Sequence, residues 1–136
     1  MKLRNLLILI SLFCAAVSCK KSGSAPVYPL NIYGKWNMLK DSTSGGAGPL
    51  YQGVYNGRAG DCYEFSPGGL CYIKAASRDT LTYTITSDTT IAMAGFLYNS
   101  VVVVTKPHDP YKYITLTSST TDPTGGHFYR RVWLGR

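Results

Sequence analysis

Residues 61–85 decide the fold, and they read DCYEFSPGGLCYIKAASRDTLTYTI. Apolar and polar side chains alternate on both sides of the SPGG segment at 66–69, which is the period of half-buried strands. The proline presets one turn dihedral and the glycines permit a positive φ, so SPGG predicts a hairpin turn. We expect Phe65 to pair with Leu70 across this turn.

The same alternation continues towards both ends of the chain. The predicted strands are Tyr33–Lys40, Asp61–Phe65, Leu70–Ala75, Leu81–Ile85, Thr90–Ala94, Tyr98–Thr105, Tyr111–Thr117 and His127–Leu134, with a weaker ninth at Leu50–Tyr55 inside a Gly-rich loop over 45–60. The run Val101 to Val104 suits a strand that is covered on both faces. No segment after Cys19 keeps a helical period, and short sequential strands predict an antiparallel meander.

The composition fits a single β domain. The 136 residues are 45% apolar, 12% aromatic and 15% charged, and eleven of them are tyrosine. This length allows one packed core, and the aromatic content argues against wholesale disorder. Tyr, Thr, Val, Gly and Pro favour strands and turns, so a helical bundle or a βαβ nucleotide-binding fold is poorly supported.

The first eighteen residues, MKLRNLLILISLFCAAVS, have the layout of a secretory signal peptide. Lys2 and Arg4 form a positive head, and Leu6 to Val17 is an apolar run broken only by Ser11. This run of about 12 residues is shorter than the ~20 that a transmembrane helix needs. We therefore expect residues 1–18 to be removed on export.

The sequence AVSC at 16–19 resembles the lipobox of bacterial lipoproteins, in which small residues precede a cysteine that is lipidated and becomes the mature N-terminus. The resemblance implies palmitate-type acyl chains on Cys19, which hold a protein at a membrane by ~0.8 kcal/mol per buried methylene. The polar stretch KKSGSAP that follows is typical of a flexible tether. We expect a lipidated tether over 19–29, a domain over 30–136, and attachment to the cell envelope at the outer membrane.

Eight short strands can close into a barrel, which removes both edges, or form a two-sheet sandwich. The motif GKW at 34–36 on the first strand, with Arg130 or Arg131 on the last, resembles the Gly-X-Trp and late-Arg signature of lipocalin-like (calycin) barrels. The stretches YEFSPGG at 63–69 and DTLTY at 79–83 are similar to small lipocalin-like lipoproteins of Bacteroidetes. The resemblance implies an all-β, antiparallel, up-and-down eight-stranded barrel behind a cleaved lipoprotein signal peptide.

In barrels of that family the Trp packs at the closed end and the Arg lies across it. If the apolar side chains of the last strand point inward, parity places Arg130 on the inner face and Arg131 outside. We therefore expect Arg130 to pair with Trp36 in a structural role, where a guanidinium over an indole contributes ~0.5–2 kcal/mol.

An eight-stranded barrel either fills its interior with side chains or holds one small ligand. Strands of about seven residues, tilted by ~40°, give a barrel only ~18 Å tall, so any pocket is shallow. The residues expected on the pocket wall are Met38, Tyr63, Phe65, Tyr72 and Tyr83. The alternative, that these five side chains simply form the core, stays open.

Cys62 and Cys71 bracket the SPGG hairpin. With Phe65 opposite Leu70, the two cysteines lie diagonally on one face, and bonding them needs a register slip or a bulge. Export makes oxidation feasible. A disulfide and two free thiols are therefore both open alternatives.

No catalytic set is recognisable in the sequence. His108 and His127 stand at no ligand spacing, no Ser or Cys nucleophile motif is present, and the chain has only seven carboxylates. Asp61 and Glu64 fall on opposite faces of a strand, which argues against paired-carboxylate hydrolysis. We expect no enzymatic activity, no metal and no cofactor.

The net charge of +7 comes from scattered basic residues, so we expect no nucleic-acid partner.

We expect the protein to bind a small hydrophobic or amphipathic ligand while it is anchored to the membrane through its N-terminal lipid. The alternative is a protein-interaction module, such as a periplasmic inhibitor of a lysozyme or a protease. Such a module inserts a loop into an enzyme cleft, and the loop at Ser42 to Gly60 is the candidate.

Overall fold

A computed structural model describes residues 30–46, 51–98, 101–106 and 112–136, which form one antiparallel sheet of nine strands. The strands are β1 Gly34–Gly46, β2 Tyr51–Asn56, β3 Cys62–Phe65, β4 Leu70–Lys74, β5 Arg78–Ile85, β6 Thr90–Met93, β7 Val101–Thr105, β8 Tyr113–Thr121 and β9 His127–Gly135. The described residues include no helix, and hence none long and apolar enough to span a membrane. The expected signal peptide, Cys19 and the tether lie outside the described residues.

The sheet closes on itself because both edges of β1 are paired. Residues 34–37 of β1 pair with β3, and the other edge of β1 pairs with β9 from Asn37 to Gly46. β2 continues along the same edge as β3 and pairs with residues 40–45. Eight strands therefore form the closed ring and β2 lengthens one side of it. The prediction of an antiparallel, up-and-down eight-stranded barrel is confirmed.

The turn after β3 is one residue shorter than predicted. The Ser66 N–H donates to the carbonyl of Leu70 at 2.8 Å, which leaves a loop of three residues that ends on Gly69 at φ 80°. Three-residue hairpin loops place their last residue in the left-handed region, where glycine is favoured. Phe65 consequently pairs with Cys71 and not with Leu70. A shift of one residue turns every side chain of β4 to the opposite face.

The valine run in β7 alternates between core and solvent. Val102 and Val104 are buried, whereas Val101 and Val103 are 59% and 45% exposed. The prediction that this strand is covered on both faces is wrong. Within the described part of the chain, no second layer packs on the outside of the barrel.

β1 carries a bulge at Leu39, where its register against β9 shifts by one residue. A bulge re-aims the side chains that follow it. Trp36 and Met38, before the bulge, are buried in the barrel, and Asp41, after it, points into the barrel mouth. In a regular strand Asp41 would have pointed outward.

Trp36 seals the closed end of the barrel. Its Nε1 donates to the carbonyl of Ile32 at 2.7 Å, and the guanidinium carbon of Arg136 lies 3.9 Å from its ring centroid. Arg136 also donates to the carbonyl of Tyr33. The expected pairing of Arg130 with Trp36 is wrong, because Arg136 covers the indole and the Arg130 guanidinium is bonded to Asp41, Tyr63 and the carbonyl of Phe96 in the barrel mouth.

The interior above Trp36 is filled with side chains. The rings of Phe65 and Tyr83 meet edge to face with their centroids 5.2 Å apart. The largest fully buried side chains are those of Trp36, Tyr63, Phe65, Phe96, Ile32, Ile91, Met93, Ile114, Leu116, Leu134, Val102 and Val104. This packing leaves space at the opposite end of the barrel, its mouth.

Candidate functional site

A cavity of about 220 Å³ occupies the mouth of the barrel. We call it the mouth cavity, and its principal lining residues are Met38, Asp41, Tyr63, Ile73, Leu81 and Arg130. Three of these side chains are apolar and three carry hydrogen-bonding groups, so the cavity has an apolar wall and a polar wall. Sites for drug-sized ligands measure ~300–1,000 Å³. The mouth cavity therefore accepts only a smaller molecule.

Arg130 and Asp41 form a two-pronged ion pair on the polar wall. Nη2 of Arg130 lies 2.6 Å from Oδ2 of Asp41, and Nε lies 3.2 Å from Oδ1. Nη1 donates to the carbonyl of Phe96 at 2.7 Å. Burial disfavours the charge on Arg130, but the hydrogen bond to Asp41 and nearby negative groups outweigh burial, so the pKa of Arg130 is raised. The pair itself is neutral, and the exposed carboxylate of Asp79 adds a negative charge to the cavity lining.

Tyr63 lies fully buried beneath the ion pair. Its hydroxyl accepts a hydrogen bond from Nη2 of Arg130 at 3.3 Å. Burial raises the pKa of Tyr63 well above its ordinary value, although the charge of Arg130 opposes this shift. The phenol stays protonated, and a hydroxyl that accepts one hydrogen bond can still donate another. Tyr63 thus presents a neutral polar group to the cavity.

A second polar cluster, formed by Tyr55, Arg58 and Asp61, stabilises the turn between β2 and β3. Oδ2 of Asp61 accepts hydrogen bonds from the Tyr55 hydroxyl at 2.8 Å and from the Arg58 N–H at 2.7 Å. The bond from the Arg58 backbone lowers the pKa of Asp61, and the bond to Asp61 raises the pKa of Tyr55. The carbonyl of Asp61 also accepts from the Met38 N–H at 2.9 Å. Asp61 therefore fixes a turn next to the cavity.

The five residues expected on a pocket wall fall in three places. Met38 and Tyr63 line the mouth cavity. Phe65 and Tyr83 are buried in the core below it, and Tyr83 donates its hydroxyl proton to the carbonyl of Ser66 at 2.6 Å. Tyr72 is 45% exposed on the outer face. Its predicted inward orientation is wrong because of the one-residue register shift in β4.

Cys62 and Cys71 are free thiols, and both are buried. Cys71 pairs with Phe65 and faces the barrel interior, whereas Cys62 pairs with Lys74 and faces outward. The two sulfurs lie on opposite faces of the sheet, so the disulfide alternative is not realised. Burial raises the pKa of Cys71 to about 12, which keeps this thiol protonated and unreactive.

Sequence reasoning missed Asp41. The predicted strand ends at Lys40, and unbroken alternation would place the next side chain outside. The only available signal was electrostatic, because a charge that points into a barrel needs a partner. Arg130 was expected to point inward, and Asp41 is the one carboxylate between residues 30 and 60.

No known protein family matches this chain, and no curated protein or solved structure is significantly similar to it. Over the ranges that the structure describes, no group of three or more His, Cys, Asp or Glu side chains is placed to hold a metal ion. The class of the protein therefore follows from its geometry. It is a closed eight-stranded antiparallel barrel with a filled core and a small cavity at its mouth that has an apolar wall and a polar wall.

Proposed function

We propose that this protein is a lipid-anchored, lipocalin-like protein of the bacterial cell envelope that binds a small amphipathic ligand in the mouth cavity. The observation that carries the proposal is the two-sided lining of that cavity. Met38, Ile73 and Leu81 offer an apolar surface, and Tyr63 and the ion pair beside it offer hydrogen bonds. An amphipathic molecule matches both walls at once.

The ion pair sets the charge of the ligand. Arg130 and Asp41 neutralise each other, so an anion must compete with Asp41 for the guanidinium and also meets the carboxylate of Asp79 in the cavity lining. Leaving either buried charge unpaired is costly. A neutral molecule avoids this penalty, and the volume of about 220 Å³ keeps it small. The ligand class is a short alcohol, phenol or amide.

The ligand proposal is tested by filling the cavity. Ala75 is half-buried at the rim of the mouth cavity, and Ala92 is exposed on β6. Ala75→Phe should abolish binding, while the matched control Ala92→Phe should leave it unchanged. Phenol and 1-hexanol serve as probes, and chemical shifts of the backbone amides report binding. The substitutions are made in the Cys19→Ser chain, because acyl chains and detergent would absorb the probes.

A negatively charged analogue sharpens the same test. Hexanoate should bind at least about tenfold more weakly than 1-hexanol, since it must disturb the ion pair and meets the carboxylate of Asp79. Equal binding of hexanoate and 1-hexanol, binding that survives Ala75→Phe, or no binding to the parent chain would contradict the proposal.

The membrane anchor is supported by the sequence alone. The signal peptide at 1–18 and the lipobox at 16–19 make Cys19 the acylated residue. Cys19→Ser should release the protein from the membrane into the soluble fraction. Mass spectrometry of the protein taken from its native membrane should find acyl chains on Cys19, and an unmodified Cys19 would rule out the anchor.

A second candidate function, inhibition of a lysozyme or a protease, is favoured by the β1–β2 hairpin. Much of the predicted insertion loop at Ser42 to Gly60 is regular, with Ser42 paired to Val54 and Ser44 to Gln52. Val54 is 60% exposed on this hairpin. Capture of a lysozyme or a protease by the wild-type protein, lost on Val54→Asp and kept on Val103→Asp, would support this function over ligand binding.

A further inference from the structure

The outer face of the longest strands forms a second site, separate from the mouth cavity. β1, β8 and β9 contain 13, 9 and 9 residues, and with β2 they make a four-stranded wall in the order β2-β1-β9-β8. We call its outward face the outer wall. Its side chains form rows across the strands, such as Gln52–Ser44–Tyr129–Ser119 and Val54–Ser42–Arg131–Thr117.

Arg131 lies between two aromatic rings on the outer wall. Its guanidinium carbon is 5.2 Å from the ring centroid of Tyr129 and 5.6 Å from that of Trp133. Nζ of Lys40 is 5.2 Å from the same Trp133 centroid. A guanidinium that stacks on rings still presents its N–H edges, and the stacking limits the freedom that it loses on binding. Arg131 is therefore prepared for a planar oxyanion such as a carboxylate.

An open groove of about 520 Å³ adjoins the Tyr129 ring. Its principal polar lining residues are Ser44, Gln52, Ser119, Thr121, His127 and Tyr129. Oγ1 of Thr121 and Nδ1 of His127 lie 2.9 Å apart. Hydroxyl and amide groups both donate and accept hydrogen bonds, so the groove matches a molecule that is rich in hydroxyls. Its volume is within the ~300–1,000 Å³ range of ligand sites.

The outer wall carries positive charge and no opposing carboxylate on its described outward positions. Lys40 and Arg131 project from it, while Asp41 points into the mouth and is paired there. Asp122, in the turn after β8, accepts hydrogen bonds from backbone N–H groups of its own turn. The charge of this face is therefore complementary to an anion.

We propose that the outer wall binds an acidic oligosaccharide. The hydroxyl and amide groups of the groove hydrogen-bond the hydroxyls of the sugar rings, and Arg131 takes a sugar carboxylate through two parallel hydrogen bonds. Lys40, which pairs with Trp133 across β1 and β9, adds a second positive charge. The proposal goes beyond ligand binding in the mouth cavity and does not depend on it.

Other polyanions fit the outer wall less well. Nucleic acids and anionic lipid surfaces are held mainly by many cations acting together. Where β1 runs beside β2, over residues 40–46, the described outward positions of this wall carry only two lysine or arginine side chains, Lys40 and Arg131, beside a groove of neutral hydrogen-bonding groups. A molecule with few negative charges and many hydroxyl groups can pair with the two cations and also hydrogen-bond the groove.

The experiment measures binding of trigalacturonate and of a hyaluronan tetrasaccharide to the full chain in detergent by isothermal titration calorimetry. The methyl ester of trigalacturonate is the neutral counterpart of the first probe. Arg131→Gln removes the carboxylate partner, and Arg78→Gln is the matched control, because Arg78 is exposed on β5. Arg131→Gln should weaken binding at least about tenfold, as should esterification, whereas Arg78→Gln should change it less than about twofold.

Folding of each variant is checked by the near-ultraviolet circular dichroism of its aromatic side chains. Retained spectra together with selective loss of binding in Arg131→Gln would support the proposal. It is overturned if neither acidic probe binds, if the ester binds as well as the acid, or if Arg78→Gln weakens binding as much as Arg131→Gln. Stronger binding to phosphatidylglycerol vesicles than to either saccharide would also overturn it, in favour of a lipid surface.

Discussion

The guanidinium carbon of Arg136, the last residue of the chain, lies 3.9 Å from the ring centroid of Trp36 on the first strand. The backbone N–H of Arg136 also donates to the carbonyl of Lys112 at 2.8 Å. The residue that seals the closed end therefore directly follows β9, the strand that completes the ring against β1. The strand that closes the ring thus leads directly to the residue that covers its largest buried side chain.

Loss of this contact should destabilise the barrel measurably. Arg136→Ala removes a guanidinium stacked on an indole and a hydrogen bond to Tyr33. We expect the free energy of unfolding in urea to fall by about 1–2 kcal/mol. Arg78→Ala, at an exposed position on β5, should change it by less than about 0.5 kcal/mol. Equal effects of the two substitutions would deny Arg136 this structural role.

Breaking the ion pair in the mouth should have a larger effect. Asp41→Ala leaves the charge of Arg130 without its partner, and the two side chains are only 17% and 22% exposed. Removal of one partner of a fully buried pair costs ~3–5 kcal/mol, and partial exposure reduces the expected loss here to about 2 kcal/mol. Asp88→Ala, in the exposed turn after β5, should be nearly neutral in the same urea titration. An unchanged free energy of unfolding in Asp41→Ala would show that solvent compensates for the lost ion pair.

Gly57 should not tolerate a side chain. A Cβ at this position would lie 1.7 Å from the carbonyl oxygen of Met38, because the chain passes close to β1 as it turns from β2 into β3. Gly57→Ala should therefore lower the thermal midpoint by at least about 8 °C, as expected for a loss of 2 kcal/mol or more. Gly68→Ala, where a Cβ would meet only the Ser66 hydroxyl at 3.4 Å, is the control and should change the midpoint little. A similar small change in both variants would contradict the close approach.

Stability should fall at alkaline pH through Cys71. Burial raises its pKa from 9.0 to about 12 in the folded chain. Between these values the unfolded chain has lost a proton that the folded chain keeps, so stability is full below pH 9 and declines as pH rises, by ~1.4 kcal/mol per pH unit for one group. Urea titrations between pH 8.5 and 9.5, where unfolded tyrosines with their ordinary pKa of 10.0 contribute less than the thiol, should show the onset of this decline.

The matched cysteine variants separate this effect from general alkaline unfolding. Cys71→Ala should reduce the slope between pH 8.5 and 9.5 more than Cys62→Ala does, because burial is the largest cause of the raised pKa of Cys71 and Cys62 is a smaller one. An unaltered slope in Cys71→Ala would mean that another group controls the decline.

The alternation of side chains accounts for most of what could be predicted about the fold. Half-buried strands must alternate, so the period of two in segments such as Leu81–Ile85 locates a strand without any knowledge of its neighbours. Turn chemistry is equally local, and SPGG marks a hairpin for that reason. The SPGG segment does not, however, fix the number of residues in the loop. Gly69 alone takes the left-handed conformation, the loop has three residues, and Tyr72 consequently faces outward.

The candidate site was predictable only in part. Met38 and Tyr63 lie on its wall because their strands alternate as expected. Asp41 reaches the site only through the bulge at Leu39, which depends on the register of β1 against β9. Pairs that are distant in sequence, such as Asp41 with Arg130 and Trp36 with Arg136, exist because closure of the ring brings β1 and β9 together.

The sequence by itself determined the local features of this protein: its short alternating strands, the turns between them and their antiparallel order. The signal peptide and the lipidated Cys19 stay predictions. Only the tertiary structure decided which arginine covers Trp36, which side chains face the mouth cavity and whether Cys62 meets Cys71. The reason is physical. Alternation depends on each residue and its immediate neighbours, whereas a one-residue change in a loop or a bulge reverses the facing of a whole strand.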